Sequence, residues 1–344
     1  MLSWRMHRFF LLLPLLLIGF LVSGDSFTSG ASAEASPEPE HQLRIATLAP
    51  RQSGLGKAFQ QIRKELKERT GGQVNLKMYD GGVAGDELTV VRKMRVGQLD
   101  GALLTSTGLG ALVPQVLVLQ APGLITSYPA LDDVREKLGP DLEALFDKAG
   151  YALISWGDSG QIRIFSKHKI QHPDDLRNVR PWVWRGSPTM RAFIEAAGAN
   201  GVTMGLPEVY SGLQTGMVDT VIASSIGVLA FQWHTRLKTM TKPPGGIVVG
   251  AYVIKKDRLA LLPKEAQDYI RQGAIDNAAA FRESGRKLDE EASEALAGRL
   301  KSVNLWRNQH AWQAVQREAR ASLAGRLYSK SLLIRVQEIV GKNY

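Results

Sequence analysis

The sequence predicts an α/β protein built as two lobes around a central cleft. Three observations lead there. Short apolar strands alternate with helical stretches of about ten to fifteen residues, the pattern of β-α-β units with parallel strands. The chain has 344 residues, enough for two domains at roughly 100–200 residues each. From Pro263 to about Leu300 it is almost continuously helix-forming, so one helix outruns a single lobe.

In chain order, Leu43 to Leu48 reads as a first strand. Leu55, Phe59, Ile62 and Leu66 fall at spacings of 4, 3 and 4, a helical stripe, and Gly71-Gly72 ends that helix. Val74, Leu76 and Met78 alternate as a strand. Asp86-Glu87 opens a second helix with Leu88, Val91 and Met94 on one face, and Leu99 to Leu104 is a third strand. Tyr151 to Trp156 and Gln161 to Ser166 read as two strands, with Gly157-Asp158-Ser159-Gly160 as the turn between them. In Val179 to Trp184 the proline at 181 argues for an edge or a strand end. Ser187-Pro188 is an N-cap with proline at the first helical position, and Gly198 closes that helix. Val218 to Ala223 and Ile247 to Ile254 are further strands, and no repeat of solenoid period is present.

The N-terminus assigns a compartment. Arg5 and Arg8 precede the apolar run Phe9 to Val22, and Ala31-Ser32-Ala33 comes next, the order of a secretory signal peptide. The run is shorter than the ~20 residues that span a bilayer, and Pro14 and Gly19 interrupt it. Cleavage is expected after Ala33, leaving a periplasmic protein. Residues 34–41, rich in Pro and Glu, read as a flexible leader. One lobe is expected from residues 42–160 with 248–287, the other from 161–247 with 288–344.

Composition excludes several kinds of chemistry. No cysteine is present, which removes disulfides, thiolate metal sites, cysteine nucleophiles and a lipid-anchored cysteine. The formal charge of +10 reads as a solvated basic surface, and no nucleic-acid partner is expected of an exported protein. His168 and His172 lie four apart but with loop residues at hand and no third ligand suggested, so no metal is expected. Gly157-Asp158-Ser159-Gly160 echoes the serine motif of trypsin-like proteases without the all-β pattern or the disulfides, so no enzyme is expected. Two lobes, export and no catalytic set point to a binding protein that closes on its ligand, with no cofactor. Ligands of open α/β sheets lie beyond the carboxyl ends of the strands. The residues there are Thr105-Ser106-Thr107, Trp156-Gly157-Asp158, Trp184-Arg185 and Ala223-Ser224-Ser225.

Four stretches are recognisable: Glu68-Arg69-Thr70-Gly71-Gly72, Gly85-Asp86-Glu87, Gly97-Gln98-Leu99-Asp100, and the long series from Leu206-Pro207-Glu208-Val209-Tyr210 through Gly212-Leu213-Gln214-Thr215-Gly216 to Val218-Asp219. With them the chain, from about Leu43 to Ala280, resembles the periplasmic solute-binding subunits of TRAP transporters, the dicarboxylate-binding type. The resemblance implies a periplasmic-binding-protein-like fold, two α/β lobes joined by crossing strands and a long interlobe helix. It also implies a small-molecule ligand passed to the TRAP membrane subunits. One branch of that family works with a tetratricopeptide-repeat lipoprotein and is thought to carry hydrophobic ligands, and this chain looks closer to it.

Departures from the family pattern shape the expected site. The carboxylate-binding arginine of an Arg-Val-Pro triplet is Trp182 in Trp182-Val183-Trp184. Arg185 lies three residues on, on the opposite strand face unless the strand has ended. A second family arginine, two residues after a glycine, corresponds to Ile162; Arg163 comes one residue later and needs a bulge to reach the cleft. A family asparagine is Ala223, and a frequent aromatic is Leu206. These exchanges predict an apolar or amphipathic ligand; the alternative is an organic acid or acidic sugar held through Arg163 or Arg185. The expected ligand-binding set is Trp182, Trp184, Arg185, Arg163, Thr105, Ser106, Leu206, Ala223, Trp156 and Asp86. Trp182 and Trp184 are expected on opposite faces with at least one in the cleft. Asp86 reads equally as a helix cap.

Overall fold

The structure is a computed structural model, which describes residues 40–341. The signal peptide, its cleavage site and nearly all of the leader lie outside the described residues. Strand β1 (His41–Thr47) begins two residues before the expected start and takes in the end of the leader. Helix α1 (Gly54–Arg69) is capped by the Ser53 hydroxyl, which accepts from the Gly56 N–H. Then come β2 (Val74–Tyr79), α2 (Glu87–Arg95), β3 (Gly101–Thr105), α3 (Ser106–Leu112) and α4 (Tyr128–Lys148).

Strand β4 (Tyr151–Ser166) is one element of 16 residues, where two strands and a turn were expected. The Gly-Asp-Ser-Gly segment is an irregularity inside it: pairing slips between Asp158 and Gln161 instead of reversing. Strand β5 (Trp182–Trp184) is succeeded by α5 (Pro188–Ala196), β6 (Val202–Met204) and α6 (Val209–Thr215). Strand β7 (Thr220–Ser224), α7 (Ser225–Ala230), β8 (Thr239–Lys242) and β9 (Gly246–Lys255) come next. A short α8 (Lys256–Ala260) leads into α9 (Lys264–Ala297), 34 residues long. That is about 51 Å at 1.5 Å per residue. Strand β10 (Lys301–Asn304), α10 (Gln309–Leu323) and α11 (Lys330–Ile339) complete the chain.

The main sheet has eight strands in the order β10-β8-β4-β9-β3-β1-β2, with β7 also on β4. It is mixed, a correction to the parallel sheet that strand–helix alternation predicts. β1 pairs in parallel with β2 and β3, and β10 with β8, but β9 runs antiparallel to both β3 and β4. β7 and β8 are antiparallel to β4 as well. Long β4 and β9 therefore tie one end of the sheet to the other. Side chains of β1, β2 and α1, such as Leu43, Phe59 and Leu76, form one buried cluster. Phe165, Trp182, Leu213 and Val221 belong to another, beyond the β4 slip. Helix α9 packs on α1, β4 and α7. Among the described residues no helix is long and apolar enough to cross a membrane.

Candidate ligand-binding site

Where the two ends of the sheet meet, a cavity of about 770 Å³ opens, within the roughly 300–1,000 Å³ usual for small-molecule sites. The strand ends supply much of its wall, as the rule for α/β sheets requires. Seven of the expected residues line it: Trp182, Trp184, Arg163, Thr105, Ser106, Leu206 and Ala223. Three do not. Arg185 lies just past the last residue of β5 and turns to the surface, where it pairs with Glu208 at 3.1 Å. Trp156 is core: its ring meets Phe146 edge-on and its indole N–H donates to Glu143 at 2.9 Å. Asp86 caps α2 by accepting from the Glu87 N–H at 2.9 Å, behind the wall.

Arg163 borders the cavity just beyond the bulge, as do its neighbours Ile162 and Ile164. Pairing runs from Asp158↔Val249 to Gln161↔Ile247, so three steps on β4 match two on β9. The extra residue reverses the face presented by the rest of the strand. Gly160 makes it possible, with φ at +97°. The Arg163 side chain is buried yet poorly partnered. Nη1 donates to the Thr241 carbonyl at 3.3 Å and Nη2 to the Gln161 side-chain oxygen at 3.4 Å, while Nε has no partner. No carboxylate lies within ion-pair distance of it among the described residues. Burial pulls its pKa down, and the charge of Asp289 works against that. A buried cation so placed is costly until an anion reaches it.

Aromatic side chains form another part of the lining. Trp182 and Trp184 share one face of β5, which corrects the expectation of opposite faces: residues two apart on a strand point the same way. Their rings stack at 5.7 Å and 29°. Trp233 meets Trp182 edge-on at 5.4 Å, and Phe231 stacks on Trp233 at 5.5 Å. The Trp182 N–H donates to the Met204 carbonyl at 3.0 Å and that of Trp184 to Asp86 at 3.0 Å. Both donors are thus consumed inside the protein, and these two indoles offer the cavity carbon.

The β3–α3 corner is also self-satisfied. Glu87, fully buried on α2, accepts from the Thr105 N–H at 2.7 Å, the Thr105 hydroxyl at 2.9 Å and the Gly108 N–H at 2.6 Å. Burial pushes its pKa up to about 7 against those three donors. The Ser106 hydroxyl donates to the Gln120 side-chain carbonyl. Glu87 is a cavity residue that the sequence reading passes over, because Glu after Asp at a helix start reads as dipole compensation. Asp289 and Phe231 were equally hidden, the first inside a long polar helix, the second in a loop. No cluster of His, Asp and Glu fit for a metal occurs among the described residues.

Residues 45–330 match the family model described as bacterial extracellular solute-binding protein, family 7. A solute-binding protein of Chromohalobacter salexigens is 31% identical over 170 residues, 48% of this chain and 49% of that one, so the match spans about half that relative's length. A TRAP periplasmic solute-binding protein of Xanthobacter autotrophicus Py2, solved with bound β-D-galacturonate, superposes with a TM-score of 0.79 at 19% identity, over 88% of this chain and 100% of that one. Another, from Ralstonia eutropha H16 with bound (S)-2-hydroxy-2-methyl-3-oxobutanoate, gives 0.80 at 22% identity, over 88% and 99%. The fold is the two-lobed α/β arrangement of those proteins, with β4 and β9 crossing between lobes and α9 running along both.

Proposed function

Because the chain belongs to family 7 of the bacterial extracellular solute-binding proteins, we propose that it captures an amphipathic monocarboxylate and delivers it to the membrane subunits of a TRAP-type transporter. The carboxylate sits on Arg163 and the apolar body lies against Trp182 and Trp184. One observation carries this: a buried guanidinium with an unpartnered Nε faces the cavity and has no acid of its own. The same residue decides the charge of the ligand. Arg163 is the only Lys, Arg or His among the described residues lining the cavity. A second carboxylate would find no cation and would face Glu87. With Trp182 read in the place of the family arginine, the site trades an ion pair for apolar burial, favourable at ~25 cal/mol per Å². The acids held in the two solved relatives support a carboxylate as the shared element.

Calorimetry with a panel tests it: 3-phenylpropionate and 4-methylpentanoate against their amides, with succinate and galacturonate alongside. The apolar monocarboxylates should bind best, and each amide should fall by a hundredfold or more. Arg163→Gln should cost about 2–5 kcal/mol, the range for truncating a buried charge pair. Full binding by Arg163→Gln would sink the reading. Export is the consequence of the signal peptide, and N-terminal sequencing of the mature protein should begin at Glu34. An apolar wall also fits the branch that works with a tetratricopeptide-repeat lipoprotein; failure of such a lipoprotein to copurify with the mature chain would count against that pairing.

A further inference from the structure

We propose that Asp289, together with the glycine facing it, forms a clamp through which the long helix α9 holds the β4 bulge and so aims Arg163 at the cavity. Asp289 is a positioning residue, and its role rests on the reading of Arg163 as the carboxylate anchor.

The clamp grips both sides of the bulge from one face of α9. Arg286 donates through Nε to Asp158 at 2.8 Å, and Asp289, one turn later, accepts from the Gln161 N–H at 2.8 Å. Asp158 and Gln161 are the two residues between which the pairing slips. Between them Gly160 leaves room that no other residue can: a Cβ there would stand 2.3 Å from Asp289 Oδ1 and 2.8 Å from the Ser224 Cβ. Gly285, on the same helix, brings α9 within reach of the Asp158 carbonyl, where its own Cβ would stand at 3.1 Å. The clamp matters because the bulge sets the face that Arg163 presents and the direction from which its guanidinium meets the cavity. Restoring regular pairing would exchange the faces of Ile162 and Arg163, which both border the cavity, and so re-aim the guanidinium away from its present setting.

Asp289 gathers more than the bulge. Only 3% exposed, it accepts from the Tyr128 hydroxyl at 3.3 Å and from the Ile226 N–H, at the start of α7, at 3.4 Å. Tyr128, Ile226 and Gln161 belong to three separate segments that border the cavity or lie behind it. Its carboxylate is occupied by these donors and stays out of ion-pair range of Arg163, so its charge supports the guanidinium without occupying it. This is the logic by which outer residues orient the groups that touch a ligand. A carboxylate that paired directly with Arg163 would compete with the incoming acid; one that engages the neighbouring backbone does not.

The first test needs no ligand. In ¹⁵N-arginine-labelled protein, the Nε–H of Arg163, identified by its loss in Arg163→Gln, should be protected from solvent exchange. In Asp289→Asn, which keeps the shape but places an amide donor against backbone N–H groups, exchange should speed up at least tenfold. Unchanged exchange in Asp289→Asn overturns the proposal. The second test uses 3-phenylpropionate and its amide. The preference for acid over amide should drop at least tenfold in Asp289→Ala and again in Gly160→Ala, which reaches the clamp from the strand side. An unchanged preference, equal weakening of acid and amide, or tighter acid binding in Asp289→Ala each overturns it. The last result would mean that Asp289 only repels the ligand. Should the wild type bind neither acid nor amide, the carboxylate reading falls, and the exchange measurement still decides whether α9 aims Arg163.

Discussion

Glu87 carries the clearest pH signature of any side chain in the cavity. Burial raises its pKa from the ordinary 4.5 to about 7, so the folded protein holds that proton more tightly than the unfolded chain. Its contribution to stability is therefore complete below about 4.5 and lost as pH climbs through about 7, a change on the order of 3 kcal/mol. The melting temperature of the wild type, compared with Glu87→Gln, should fall between about pH 5 and about pH 8. A constant difference across that range would show that the three donors on Glu87 cancel its burial. Single residues were only partly legible in the sequence. Trp182, read as standing where the family carries an arginine, pointed to the aromatic side chains that line the cavity. Trp156 and Arg185 looked equal to it, since a strand end does not say which way the next side chain turns. Asp86 proved to matter one layer back, as the acceptor for Trp184.

At the scale of elements, the decisive feature is the strand that did not end. Gly-Asp-Ser-Gly is turn chemistry, and local sequence has no means of showing that α9 would seize it from more than a hundred residues away. The charges that do so form a buried network. Arg135 on α4 bonds Asp158 at 2.5 Å and donates to the Gly157 carbonyl at 3.0 Å, and Arg286 joins Asp158 to Asp132. Asp158 is wholly buried and Arg135 nearly so. Arg135→Met leaves Asp158 with only its α9 partner, and should destabilise the protein by about 3 kcal/mol or more in urea denaturation. A cost under about 1 kcal/mol would mean that solvent replaces the lost partner. Helix α4 itself was illegible, as Pro140 lies in its interior and breaks the helical pattern. Helices α1, α2 and α5 were readable from their caps and stripes alone.

For the whole molecule, alternation of strands and helices announced an α/β protein but not the direction of its strands. β8 and β9 follow one another along β4, both antiparallel to it, and β9 is antiparallel to β3 as well, directions that the alternation of elements alone does not encode. The consequence is mechanical. Two long strands and one helix are the crossings between lobes, so closure needs dihedral changes at few residues. Saturating 3-phenylpropionate should shrink the radius of gyration in small-angle scattering. An unchanged profile, with binding established by calorimetry, would make the protein a rigid receptor.

The stacked indoles of Trp182 and Trp184 have a consequence of another kind. Two identical chromophores held face to face, with a third edge-on, share their electronic excitations. They form an optical element built into the wall of the cavity, and their near-ultraviolet circular dichroism should carry the paired bands of opposite sign that such coupling produces. A ligand bound against that wall would change the polarisability around it. The protein therefore contains its own spectroscopic gauge of occupancy, one that could be monitored in the periplasmic extract without dye or label.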